Sequence, residues 1–79
     1  MSTLNRILVL NTLVKHETLT LTDISKKENL GLVPNKHHLQ LLLDRLEHGS
    51  LIQKLNGAAI CTYTITDKGI AESRRLKAL

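Results

Sequence analysis

In the segment VPNKHHLQLLLDRLEHGSLI, residues 33–52, His37, Asp44 and His48 combine metal-ligand chemistry with helical spacing. Asp44 and His48 form an i, i+4 pair, which on a helix can bring two donors to one ion. His37 lies seven residues before Asp44, about 10 Å along a helix axis, so one ion is not easily reached by all three. His37 and His38 are adjacent and point to different sides. The pattern predicts surface histidines and no metal. Catalysis has as little support. Ser25, Ser50 and Ser73 lie in no nucleophile motif, and no pair of carboxylates flanks a pocket. The four glycines read as helix ends or turns, not as a phosphate-cradling loop. Neither an enzyme nor a cofactor is expected. The single cysteine, Cys61, excludes an internal disulfide and a multi-cysteine zinc site. That usage fits a reducing cytoplasm.

The elements that position these residues belong to one small domain, residues 1–79. The apolar fraction of 42% is almost wholly aliphatic, with no Trp, no Phe and Tyr63 alone as aromatic. Stacking of single-stranded bases on exposed rings is therefore close to excluded. Eleven Lys and Arg against seven Asp and Glu give a net charge of +4 and a pI of about 9.6, which favours weak attraction to a polyanion. No apolar run approaches the roughly 18 residues of a membrane span. The first residues, MSTLNRILVLNTLVKH, lack a basic leader and a cleavage site and read as a helix.

Periodicity predicts that first helix over Thr3 to Lys15. Its stripe is Leu4, Ile7, Leu8, Asn11 and Val14, widened by Leu10 and Leu13. Thr18 to Thr20 can form a very short strand. Thr20 then caps a second helix, with Asp23 at the reciprocal position, running to about Leu30 with Ile24 inward; Gly31 ends it in the left-handed conformation. Pro34 is pre-set for the first turn of a third helix, which Gly49 stops. Leu39, Leu42, Leu43 and Leu46 form its inward stripe. Opposite them lie His37, Leu41, Asp44 and His48, flanked by His38, Gln40 and Arg45. From Leu51 the period changes to two. Leu51 to Leu55 and Ile60 to Ile65 read as strands joined at Asn56-Gly57, with Cys61, Tyr63 and Ile65 inward. Thr66 caps a last helix from Asp67 to about Leu79, which places Ile70, Ala71, Arg74 and Leu76 near the body.

In this order the elements resemble the winged-helix superfamily of DNA-binding domains. LTLTDISKKENLGL looks like that family's strand, second helix and turn, and LLLDRLEHGSLI like its third helix passing into the wing. YTITDKG, residues 63–69, is similar to the closing segment of the wing in many bacterial regulators. The expected class is α+β, mainly α: a winged helix-turn-helix with a three-helix core, a two-stranded hairpin wing and a C-terminal helix.

The resemblance implies a cytoplasmic transcriptional regulator that binds double-stranded DNA, with the helix over residues 34–48 in the major groove and the hairpin over 51–65 as wing. It also implies a homodimer built through helices 3–15 and 67–79. Candidate base-reading residues are Lys36, His37, His38, Gln40 and Leu41. Gln40 suits adenine, neutral histidine a base edge, Lys36 guanine or phosphate, and Leu41 a thymine methyl. Candidate phosphate contacts are Lys26, Lys27, Arg45, Lys54, Asn56 and Lys68, each adding counterion release. Asp44 opposes an approach to phosphate. The alternative is a winged helix that docks a protein through the outer face of helix 34–48, around Leu41.

Overall fold

Asn5 opens the first helix by accepting a hydrogen bond from the Leu8 N–H at 2.9 Å. The computed structural model describes residues 4–55 and 61–77. In it α1 (Arg6–His16) starts three residues later than periodicity predicts, because Asn5 is the stronger N-cap. Its buried face also differs from the expected stripe: Val9, Leu10, Thr12 and Leu13 are buried, while Ile7 is 42% exposed. Apolar residues lie nearly all round this helix, so only its packing decides which side turns inward. Thr12 enters the core because its hydroxyl donates to the Leu8 carbonyl at 2.8 Å.

The chain turns at Glu17 into β1 (Thr18–Thr20). Thr20 caps α2 (Leu21–Ile24) as expected, accepting from the Asp23 N–H at 3.1 Å. The predicted second helix is, however, broken. Lys26 is extended, and α3 (Lys27–Leu30) begins after it. Two side chains take carbonyls at the break: Ser25 Oγ donates to the Leu21 carbonyl at 2.8 Å and Asn29 Nδ2 to that of Asp23 at 2.7 Å. Gly31 ends α3 at φ 81°, where a side chain is disfavoured.

Helix α4 (Lys36–His48) starts two residues after Pro34, which is buried just outside it. Asn35 is the N-cap, accepting from the His38 N–H at 2.9 Å. The leucine stripe is as read: Leu39, Leu42, Leu43 and Leu46 are all buried. Strand β2 (Ile52–Leu55) and strand β3 (Thr62–Ile65) are shorter than expected at their starts, and the predicted Asn56-Gly57 turn lies outside the described residues. The sheet has three strands, not two, in the order β1-β3-β2 and antiparallel throughout. Its inner face aligns Leu19, Tyr63 and Lys54 in one row and Ile52 with Ile65 in the next; the outer face carries Thr18, Thr64 and Gln53, then Thr20, Thr62 and Leu55.

The last helix, α5 (Asp67–Lys77), is capped by Thr66, whose Oγ1 accepts from the Gly69 N–H at 3.0 Å. It packs on α1, where the buried Ser73 meets Asn11, while the buried Gly69 lies against Leu51 and Ile65. Ala71 and Arg74, expected near the body, are exposed, while Ile70 and Leu76 are half-buried. Gly69, expected at a helix end or turn, lies in the first turn of α5 and is a buried contact there. The core runs from Val9, Leu10 and Leu13 of α1 through the α4 leucines to Ile52 and Tyr63 of the sheet. None of the described helices is long and apolar enough to cross a membrane.

Candidate nucleic-acid interface

Because four leucines anchor α4 on one side, its other side is held out to solvent. Lys36, His37, His38, Leu41, Asp44, Arg45 and His48 are all exposed. Leu41 keeps 42% of its surface accessible, although it is a large aliphatic residue on an otherwise polar face. It borders a shallow depression with Asp44, Arg45 and His48. His37, His38 and Leu41 are thus all accessible on one helix.

Gln40 is placed differently. It is half-buried, and its Nε2 donates to the hydroxyl of Tyr63 at 3.2 Å and to Asp44 Oδ1 at 3.0 Å. With Lys36 and Leu39 of α4 it lines a crevice of about 280 Å³ whose other wall is Leu21, Thr22 and Ser25. Helix α2 and the first half of α4 form this crevice, so Lys36 stands at a junction of two elements rather than on an isolated helix face.

The basic residues expected at phosphates are scattered. Lys26 pairs with Asp23 at 3.1 Å across the break between α2 and α3. The Lys26 ammonium, and after it the Thr20 hydroxyl, holds the Asp23 carboxyl below its ordinary range. Lys27 is exposed at the start of α3, and Lys68 is exposed in the first turn of α5. Lys54 is half-buried and stands opposite Tyr63 in the sheet register. Asn56 lies outside the described residues. Cys61 is half-buried, packs against the core, and its carbonyl accepts from the Leu21 N–H at 2.8 Å. Among the described residues no three His, Cys, Asp or Glu side chains gather as a metal site.

Three groups escaped the sequence reading: the Gln40–Tyr63 bond, the close approach at Gly69, and the pairing of Ser73 with Asn11. The last two leave a trace, since Gly69 and Ser73 are small residues four apart on one helix face. The first leaves none, because its partners are 23 residues apart.

The arrangement of α2 to α4 against a three-stranded sheet matches solved proteins closely. BpsR of Bordetella bronchiseptica, whose DNA binding is regulated by 6-hydroxynicotinic acid, superposes with a TM-score of 0.78 at 16% identity over 92% of this chain and 55% of that one. The fold is a winged helix. MarR C80S of E. coli in complex with operator DNA shares it at a TM-score of 0.76, with 19% identity over 94% of the winged helix described here and 52% of that chain. ZitR of Lactococcus lactis, a zinc-responsive MarR family member, shares it at a TM-score of 0.66, with 17% identity over 99% and 54%. This winged helix therefore spans just over half the length of those three proteins. No protein-family model matches it, and no curated protein matches it in sequence.

Proposed function

We propose that this winged helix binds duplex DNA as a transcriptional regulator, with α4 in the major groove and the β2–β3 hairpin as the wing. The observation that carries the reading is the exposed side of α4, in a fold shared with a protein solved on its operator. His37, His38 and Leu41 face the groove and Lys36 lies at the leading end of the helix, where base-reading side chains of such motifs cluster. Lys26, Lys27, Arg45, Lys54 and Lys68 supply contacts to phosphate, and Asn56 a further one at the wing. The protein acts in the cytoplasm as a homodimer through α1 and α5, with Ile7 as the exposed apolar residue available to a second copy. The reading assigns no catalysis, cofactor or metal.

Fluorescence anisotropy with labelled genomic duplex fragments tests it. Binding is expected at low salt and is expected to weaken steeply as salt rises. Lys36→Glu weakens binding strongly and, like His38→Ala, alters sequence preference. A folded protein that binds no duplex at low salt would end this reading.

The exposed Leu41 and its depression favour one second reading, a surface that docks a protein. In that case Leu41→Asp abolishes capture of a partner whether or not nuclease is present. Loss of the partner on nuclease treatment returns the case to DNA.

A further inference from the structure

Tyr63 is fully buried, and a phenol hydroxyl withdrawn from water must find a hydrogen-bond partner inside the protein. It finds one in Gln40, at 3.2 Å. Gln40 occupies the flank of α4 between the leucine stripe and the exposed face, and Tyr63 occupies the middle of the central strand, between Leu19 and Lys54. The bond therefore ties the helix to the strand that runs into the wing. The other N–H of the same amide is directed to Asp44 Oδ1, one turn further along α4. Reading adenine bidentately requires a glutamine to present an N–H and its carbonyl together to one base edge. Here both N–H groups are engaged within the protein.

Building on the DNA-binding reading above, we propose that Gln40 is a positioning residue and not a base reader. It fixes the angle of α4 against the sheet, so that helix and wing meet the duplex as one rigid surface. It also draws the Asp44 carboxylate toward an amide donor, along the helix instead of outward to phosphate. Sequence preference then rests on Lys36, His37, His38 and Leu41.

Four proteins test this: Gln40→Ala, Tyr63→Phe, the combination of the two, and the double swap Gln40→Glu with Asp44→Asn. The swap keeps the net charge and reverses the bonds. The carboxylate introduced by Gln40→Glu accepts from the Tyr63 hydroxyl and from the amide introduced by Asp44→Asn, but a carboxylate cannot make the glutamine contact to adenine. Urea unfolding reads the tie itself, without DNA. Gln40→Ala and Tyr63→Phe each lower the folded-to-unfolded ratio by on the order of tenfold, and the combination loses little more than either alone. Selection from random duplexes, followed by anisotropy far below the unfolding temperature, reads the positioning. Both single variants lose specific affinity to a similar extent and keep the same preferred sequence, and the swap restores that affinity. A bond that only stabilises the fold would leave the affinity of the folded protein unchanged, which would overturn the proposal. So would a preferred base that changes in Gln40→Ala but not in Tyr63→Phe, or additive losses in urea. If the unaltered protein binds no duplex, the DNA reading falls, and non-additive unfolding losses still uphold the tie.

Discussion

The backbone carbonyl of Leu51 occupies the space that a side chain on Gly69 would need. A Cβ added at Gly69 would sit 2.0 Å from that oxygen and 2.7 Å from Ile65 Cδ1. The same carbonyl accepts from the Thr66 N–H at 3.2 Å and the Thr66 hydroxyl at 2.9 Å. The start of α5 is thus pressed onto the segment that leads from α4 into β2. Gly69→Ala must displace backbone rather than a flexible side-chain end, so it should cost about 3 kcal/mol or more. Gly31→Ala is the control. Gly31, unlike the helical Gly69, lies in the left-handed region at φ 81°, but nothing stands within 4 Å of its missing Cβ, so that change should cost only about 1–2 kcal/mol. Urea midpoints at constant slope check both.

Ser73 Oγ donates to Asn11 Oδ1 at 2.6 Å where α5 crosses α1. Ser73 is 1% exposed and Asn11 half-buried, so removing the hydroxyl leaves a half-buried amide oxygen short of this partner. Ser73→Ala should destabilise by about 1–2 kcal/mol, and a double-mutant cycle with Asn11→Ala should return a coupling of about 1 kcal/mol. Ser73→Leu should be worse than Ser73→Ala, since the buried Ser73 leaves no room for a larger side chain where α5 crosses α1. A coupling near zero would mean that the bond adds nothing to the packing of the two helices.

Glu17 holds φ 66° and ψ −57°, a rare turn conformation for a residue with a side chain. The fold keeps it there because its carbonyl accepts from the Ile65 N–H at 2.8 Å and from Thr64 Oγ1 at 3.3 Å, joining the end of α1 to β3. Glu17→Gly relieves the strain and keeps both bonds, which involve only the backbone of residue 17. It should raise stability by about 1 kcal/mol after the entropy lost by glycine is subtracted. Thermal unfolding reads this as a rise in Tm.

Asp23 is held below the ordinary carboxylate range, first by Lys26 and then by Thr20. A carboxyl depressed in the folded state stabilises that state above its unfolded pKa, and the contribution is lost as pH falls through the folded value. The cap region of α2 should therefore hold at neutral pH and weaken only as acid takes the carboxyl through its lowered pKa. Asp23 and Lys26 are both largely solvated, so salt should mute the effect. Carbon-detected NMR titration of the Asp23 carboxyl checks the direction. Lys26→Met should bring the pKa back up toward its usual value.

DNA binding itself makes a quantitative prediction. Each lysine that neutralises a phosphate adds about 0.9 to the slope of log affinity against log salt. Lys68→Ala and Lys27→Ala should each flatten that slope by about this amount if the residue touches phosphate, and leave it unchanged otherwise. Lys26→Ala should flatten it less, because Lys26 is already shared with Asp23.

Much of this molecule could be read one turn at a time. The caps at Thr20 and Thr66, the leucine stripe of α4, the left-handed Gly31 and the inward Tyr63 depend on neighbours within four residues, and they are where periodicity puts them. The same locality made the exposed side of α4 legible, with His37, His38 and Leu41 on it. Other features depended on distant partners. Helix α1 is apolar nearly all round, so its buried face was decided by what α4, α5 and the sheet press against it. The break at Lys26 arose because Ser25 and Asn29 compete for helix carbonyls, a choice that local propensity leaves nearly balanced. Nothing local shows that Gly69, near a helix end, is pressed by Leu51, or that Gln40, a candidate for adenine, is held by the buried Tyr63. A chain encodes the periodicity of each element in that element alone, whereas a hydrogen bond or a steric exclusion between two elements exists only once packing has brought them within a few ångströms.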